Sequence, residues 1–265
     1  MEHETEPCWN ARVNQRSVLA KFDAQVRRGA GPAAPEGVVR TVSEDRSGWT
    51  GVVWSGLDAR TADRAIAAQT AWLASPEGRG REFEWKLYSH DQPADLAERL
   101  AAAGFTPDPP ETLMIAEVAA LPKDTPPPDG VRFEPVTDAT GVDLLAEVHT
   151  QAFGTDSTRL RDHLLGQLGS PTLEMTVAMA GDRPVCAARM EFRPGTDFAG
   201  LWGGGTVKEW RGRGIYRAMV AHRTRIAADR GVRYLQVDAS DQSRPILERL
   251  GFAALGVTTP YLKQG

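Results

Sequence analysis

Thr206-Val207-Lys208-Glu209-Trp210-Arg211-Gly212-Arg213-Gly214-Ile215-Tyr216 is the stretch on which the reading of this chain turns. It closes a run, Phe198–Val207, that reads as a strand. From Ile215 to Arg230 the residues Ile215, Met219, His222 and Ile226 share one helical face, and Gly231 supplies a stop. Between strand and helix lies a short turn holding Gly212 and Gly214, residues that tolerate unusual torsions and close approach of a ligand. N–H groups at such a turn and at the helix start point the same way. With the positive end of the helix dipole they suit a phosphate group. Lys208, Arg211, Arg213 and Arg217 against Glu209 make the stretch basic in a chain whose formal net charge is −4. A plain strand-to-helix turn with solvated arginines fits these residues equally well. Two other phosphate loops fit worse. The chain has no GxxxxGK[ST], and Arg217 stands where a GxGxxG fingerprint needs its third glycine.

Outward from this stretch, the C-terminal half alternates between periods. Strands are expected at Val131–Val136, Leu173–Ala180, Pro184–Arg193, Tyr234–Ala239 and Ala253–Leu262, and helices at Ala139–Phe153, Arg159–Leu168 and Arg244–Leu250. Gly181-Asp182 marks a hairpin turn. The order β-α-α-β-β-β-α-β-α-β predicts an α/β fold with a mixed sheet. The N-terminal half opens with an amphipathic helix over Val13–Arg28. Strands follow at Val38–Val42, Gly51–Gly56, Glu82–Tyr88 and Thr112–Val118, with helices at Thr61–Ala74 and Pro93–Ala103.

The halves meet at Ala119–Gly130, which holds Pro122, Pro126, Pro127 and Pro128 and reads as a stiff linker. The expected division is a domain over 1–118, a linker over 119–130 and a domain over 131–265. The halves are also related. Asp91-Gln92 and Glu98-Arg99-Leu100 match Asp241-Gln242 and Glu248-Arg249-Leu250 without a gap, and each stretch runs on to Gly-Phe, at Gly104-Phe105 and Gly251-Phe252. A helix ended by a left-handed glycine, with an apolar residue folding back, explains both endings. The joint match points to a duplication.

The net charge of −4 supplies no field for nucleic acid or an anionic membrane. No apolar run reaches the ~20 residues of a membrane span, and the acidic start, Met1–Pro7, has no leader-like apolar core. Cys8 and Cys186 lie far apart with no ligand spacing, so neither a disulfide framework nor a metal site is expected, and the cytoplasm is the expected compartment.

Val207-x-x-x-Arg211-Gly212-Arg213-Gly214 resembles the acetyl-coenzyme A loop of the GCN5-related N-acetyltransferases (GNAT), whose pattern is (Gln/Arg)-x-x-Gly-x-(Gly/Ala). Arg211 and Gly214 match; Tyr216 stands at the last position, where it should crowd the helix start. Leu247-Glu248-Arg249-Leu250-Gly251-Phe252 is similar to the family's Tyr-Glu-(Lys/Arg)-x-Gly-Phe. The resemblance covers Val131 to the C-terminus in element order and implies the GNAT fold, here duplicated, with acetyl-CoA as co-substrate and no metal. It implies that Thr206, Val207, Arg211, Gly212, Arg213, Gly214, Ile215 and Tyr216 hold pantetheine and pyrophosphate, the backbone amides of Val207 and the turn among them. Ser243 would either touch the pantetheine or cap its helix. Splayed strands at Phe198–Val207 and Tyr234–Ala239 would admit the thioester, and an amine would attack its carbonyl directly.

Such attack needs a base, for which Glu191 and Asp238 are the candidates. The family's acid is often a Tyr where this chain has Leu247, so Tyr261 or Ser243 would substitute, or the thiol leaves unaided. The acceptor would be a small-molecule or peptide amine, with no nucleic-acid or membrane partner, and the chain could pair as a homodimer. A non-catalytic acyl-CoA-binding or protein-interaction module on the same fold is the alternative. The N-terminal half reads Leu57-Asp58-Ala59-Arg60-Thr61 where the loop would be. It is expected to be a degenerate copy without a coenzyme site.

Overall fold

The computed structural model describes residues 12–46 and 48–265, so Met1–Pro7 and Cys8 lie outside the described residues. The chain begins with α1 (Arg12–Phe22), which widens into a π turn over Asp23–Arg27 and tightens into a 3-10 turn over Arg28–Ala30. A uniform helix over Val13–Arg28 was expected. The widened turn coincides with Arg27, whose guanidinium donates to Asp23, to both oxygens of Asp91 and to the Val53 carbonyl. There follow β1 (Val38–Val42), β2 (Thr50–Ser55), α2 (Ala62–Leu73), β3 (Glu82–Tyr88), α3 (Leu96–Ala102), a two-residue β4 (Thr106–Pro107) and β5 (Glu111–Glu117). The second half runs β6 (Val131–Pro135), α4 (Ala139–Phe153), α5 (Thr158–Gly166), β7 (Leu173–Ala180), β8 (Arg183–Phe192) and β9 (Phe198–Thr206). It ends with α6 (Ile215–Asp229), β10 (Tyr234–Ala239), α7 (Arg244–Leu250) and β11 (Ala253–Gln264).

Two compact units result, and neither is continuous in sequence. The first takes residues up to Leu113 together with Asp238–Asp241 and Ala253–Gly265; the second takes Met114–Val237 and Gln242–Phe252. Sheets are joined by backbone pairing, not by chain order. The last strand, β11, pairs antiparallel with β3, from Thr258 opposite Tyr88 to Gln264 opposite Glu82, so it belongs to the first unit. The proline-rich run 119–130 lies inside the second unit.

In the first unit β1 and β2 are antiparallel, β2 and β3 are parallel across the α2 crossover, and β4 adds to β11. Its core gathers Ile66, Leu73, Phe83, Trp85, Leu96, Leu100 and Phe105. Burying each large apolar side chain contributes roughly 1.5–3 kcal/mol. In the second unit β6, β7, β8 and β9 form an antiparallel run, and β10 lies parallel to β9 after the α6 crossover. The order β2-α2-β3-α3-β5 thus recurs as β9-α6-β10-α7-β11. Both short helices end alike. Gly104 and Gly251 are left-handed (φ +84° and +106°), and Phe105 and Phe252 each donate to the carbonyl five residues back, on Leu100 and Leu247.

Candidate active site

The cofactor-type turn is built by β9, a 3-10 turn over Lys208–Trp210 and the start of α6. Gly212 (φ +74°) and Gly214 (φ +83°) are both left-handed, which only glycine adopts freely. A Cβ on Gly212 would meet nothing within 4 Å, and one on Gly214 only Arg217 Nη2 at 3.8 Å. The backbone there is open to an approaching group, which is the property a pyrophosphate cradle needs. Gly214, the N-cap, has no side chain to cap the helix start, and Ala218 N–H donates to its carbonyl at 3.0 Å. The N–H groups ahead of Ala218 are those a helix leaves for an outside acceptor.

Side chains lock the turn from below. Arg211 donates from Nε to the Thr206 carbonyl (3.0 Å) and from Nη2 to the Ala152 carbonyl (2.9 Å), so its guanidinium ties loop, strand and α4 together. Arg213 donates to the Glu209 carbonyl and lies 4.4 Å from the Trp210 ring centroid. Val207 is fully buried; its N–H donates to the Val185 carbonyl and its own carbonyl accepts from Trp210. The expectation that the Val207 amide holds the ligand is therefore corrected, because strand pairing already uses that donor. The remaining candidates are the amides of Gly212, Arg213, Gly214, Ile215 and Tyr216.

The glycine run Gly203-Gly204-Gly205 explains how Tyr216 fits. Register shifts between Ala187 and Arg189 make a bulge in β9, with Gly203 left-handed (φ +56°). A Cβ on Gly205 would strike Ala152 Cβ at 2.8 Å and Phe153 at 2.9 Å on α4. A Cβ on Gly204 would strike the Tyr216 ring at 3.1 Å and Arg223 Nη2 at 3.4 Å on α6. Successive strand residues face opposite sides, so α4 and α6 cover opposite faces of the sheet. The Tyr216 ring turns inward over Gly204, where its hydroxyl accepts from Arg223, and does not crowd the turn. Burial pushes the Tyr216 phenol above its ordinary range.

β9 and β10 pair over Phe198–Tyr234, Ala199–Leu235 and Gly200–Gln236, and the ladder then ends while β9 runs on to Thr206. A parting of parallel strands is what a thioester arm requires. The face under α4 carries Arg189, Glu191, Trp202 and Gln236, by the registers Arg189–Trp202, Glu191–Gly200 and Gly200–Gln236. Arg189 Nε lies 3.6 Å from Glu191 Oε1, and both are half-buried. His149 holds Ser157 Oγ at 2.9 Å through Nδ1; burial first and Arg189 second pull its pKa below the usual value. On the α6 face Cys186 sits opposite Thr206, and burial pushes its thiol up to about 11, away from nucleophilic use.

The other sequence candidates scatter. Ser243 precedes α7 and its carbonyl accepts from Ile246 and Leu247; no side-chain cap bond is formed. Leu247 is fully buried. Asp238 Oδ2 lies 2.5 Å from Lys86 Nζ, with 2% of its side chain exposed, so its carboxylate already serves to neutralise a lysine. Tyr261 lies opposite Trp85 and in the apolar core of the first unit. Its expected part as an acid gives way to packing. Sequence reasoning missed Arg189 and Gln236. The signal was present in the period-two pair Arg189-x-Glu191 within an apolar strand, which marks a polar stripe on one face. Among the described residues no group of three His, Cys, Asp or Glu could hold a metal ion, and no helix is long and apolar enough to cross a membrane.

A strand, a left-handed glycine turn, an uncapped helix start and a parting parallel strand define the class as an acyl-CoA acyltransferase fold. Residues 142–252 match the acetyltransferase (GNAT) family model. The whole chain is similar in fold to a GCN5-related N-acetyltransferase from Kribbella flavida, with TM-score 0.65 and 19% identity over 95% of this chain and 94% of that one. It is also similar to a conserved protein of unknown function from Staphylococcus epidermidis ATCC 12228, with TM-score 0.70 and 16% identity over 92% and 97%. A tandem GNAT protein from the clavulanic acid biosynthesis pathway gives TM-score 0.58 and 15% identity over 95% and 94%. These likenesses show the duplicated fold. A sequence search of curated proteins gives no match.

Proposed function

We propose that this protein transfers the acetyl group of acetyl-CoA to the amine of a small molecule or peptide by direct attack. The observation that carries the reading is the pair of left-handed glycines at an uncapped helix start, with open space where their Cβ atoms would be. The amides of Gly212 to Tyr216 would hold the pyrophosphate, with exposed Lys208, Arg213 and Arg217 supplying positive charge. Acetyl-CoA supplies an activated acyl carbon as a thioester. The chain's own part is to orient the donor, exclude water and take the amine's proton. Glu191, half-exposed on β8 beside the end of the β9–β10 ladder, is the base this reading favours over Asp238, which is tied to Lys86. With Leu247 buried, the thiolate leaves without a tyrosine acid at that position.

The test is calorimetric titration with acetyl-CoA, followed by thiol release over an amine panel. Binding at one equivalent per chain with release for some amine supports the enzyme. Binding with no release for any amine supports the alternative, a non-catalytic acyl-CoA module. Absence of binding overturns both.

A further inference from the structure

The face of the second unit beneath α4 carries a partly exposed ion pair of Arg189 and Glu191. Arg189 and Glu191 are two residues apart on β8, so both point to one side, with backbones about 6.6–6.8 Å apart. Their closest approach, 3.6 Å from Nε to Oε1, is an ion-pair distance but longer than a hydrogen bond. Arg189 keeps 20% of its side chain in water and Glu191 keeps 39%. Burial lowers the proton affinity of the Arg189 guanidinium, and its ion pair with Glu191 acts against that.

The surroundings add positive field and no second carboxylate. Arg223, buried under the bulge on the opposite face, donates to the Met219 and Arg189 carbonyls and to Tyr216, and its electrostatic partners are Tyr216 and Cys186. His149 is neutral near pH 7, since its pKa is lowered. On the face beneath α4 the charged pair is therefore Arg189 and Glu191, with Arg223 behind the sheet. The bulge makes room for this arrangement. Gly203 has no side chain, and Arg189 Nη1 lies 2.9 Å from where its Cβ would be, with His149 Cδ2 at 3.8 Å. A second observation points the same way. Gln236 is 3% exposed, its Nε2 lies over Gly200 beside Trp202 Nε1, and its Oε1 has no hydrogen-bond partner. Gln236 thus lines the same face as Arg189 and Glu191.

We infer that the acceptor is a zwitterionic amine, an amino acid or its close analogue, whose carboxylate seats on Arg189 and whose ammonium lies toward Glu191. Arginine presents two parallel N–H donors that match a carboxylate. A polyamine would set a second cation against Arg189 and is disfavoured. The inference rests on the acetyl-transfer reading for what the amine attacks. In the step itself the ammonium gives one proton to Glu191, directly or through water. The neutral nitrogen then bonds the acetyl carbon, the carbon–sulfur bond breaks, the thiolate leaves with the electron pair, and the second proton shed by the nitrogen passes through water to the thiolate. The product keeps its carboxylate but has lost the positive charge that faced Glu191, which favours its release.

The experiment is thiol release, at saturating acetyl-CoA, over free amino acids, ω-amino acids, the primary amide of each, putrescine and O-phosphoethanolamine. The expected result is a free acid as best acceptor, with its amide about 10- to 100-fold lower in kcat/KM, the range of one lost charge-assisted contact. Arg189→Gln should bring the ratio of kcat/KM for the acid to that for its amide down to about one. Arg189→Lys, which keeps the charge, should recover part of the preference. Calorimetry with acetyl-CoA should give the wild-type affinity for both variants. Saturation-transfer NMR of the best free acid should show binding to wild type and its loss in Arg189→Gln, a readout independent of turnover. The inference is overturned if amides, putrescine or O-phosphoethanolamine match or exceed the acids. It also falls if Arg189→Gln keeps the preference, or if acetyl-CoA binds while no acid is bound or acetylated. Failure of acetyl-CoA to bind would sink the donor reading instead, and the NMR comparison would still decide the acceptor.

Discussion

The two halves build the same strand–turn–helix and finish it in opposite ways. After β2 the chain passes through Leu57-Asp58-Ala59-Arg60, and Asp58 turns its carboxylate onto the turn that leads into α2, whose N-cap, Thr61, makes no side-chain cap bond of its own. It accepts from the amides of Arg60 and Thr61, each at 2.9 Å, and from Thr61 Oγ1 at 2.9 Å. Thr61 Oγ1 in turn accepts from Asp58 N–H. The first half has supplied its own anion. After β9 the second half has two left-handed glycines and no side-chain cap. A helix start attracts negative charge in either case; what differs is whether that charge belongs to the chain. The contrast extends to buried ions. The first unit closes Asp23–Arg27–Asp91 and Lys86–Asp238 within itself, whereas the second buries Arg223 with no carboxylate and pairs Arg189 with a partly exposed Glu191.

The largest expected effect tests the closed charges. Asp238→Ala would remove the carboxylate 2.5 Å from the Nζ of Lys86, whose side chain is 13% exposed. Removing one member of a buried pair costs about 3–5 kcal/mol, read as a fall in unfolding free energy in urea. The double replacement Lys86→Met with Asp238→Leu should recover most of it. A loss under about 1 kcal/mol for the single variant would show that water already reaches the pair. Next in size is Gly214→Val, at φ +83° with space around its Cβ. Acetyl-CoA affinity should fall about 100-fold, or about 2.7 kcal/mol, with near-UV circular dichroism unchanged. An unaltered affinity would place the cofactor elsewhere.

A third effect separates the units by pH. Burial, chiefly, and then Asp238, Glu84 and Asp108 against the opposing Lys86, raise Glu111 to about 7. In the unfolded chain this group titrates near 4.5. Between those values the folded state binds more protons than the unfolded one, so stability falls as pH rises through that window and levels off above it. The loss should be about 1–3 kcal/mol after allowance for partial exposure. Glu111→Gln should abolish the slope. A wild-type Tm that is flat from pH 4.5 to 7 would refute the assignment.

Much of this was legible in the sequence, and the reasons are local. Strand and helix periods, the Gly104-Phe105 and Gly251-Phe252 caps and the Val207–Tyr216 turn all depend on residues within a few positions of one another. What failed to show depends on partners far along the chain. Nothing near Ala253 says that its strand pairs with β3, so its place in the first unit was not legible, and Tyr261 was assigned to chemistry when it packs on Trp85's strand. Asp238 read as a free carboxylate because Lys86 lies far back in the sequence. The Val207 amide read as free because its acceptor, Val185, sits on another strand. Each glycine of Gly203–Gly205 faces a side chain on β8, α6 or α4, partners that lie far along the chain.

The smallest effect probes the comparison most directly. Asp58→Ala removes the carboxylate on the turn that leads into α2, and loss of such a contact should lower Tm by about 2–4 °C. If the two turns differ only in who supplies the anion, the variant exposes the amides of Arg60 and Thr61 as new donors, yet still lacks left-handed glycines. Calorimetry of Asp58→Ala with acetyl-CoA should therefore stay at one equivalent per chain, with wild-type affinity. A second equivalent would mean that the carboxylate alone keeps the coenzyme from the first half, and that the glycine torsions matter less than the open amides. One equivalent in Asp58→Ala, together with loss of binding in Gly214→Val, would assign the difference between the halves to backbone conformation.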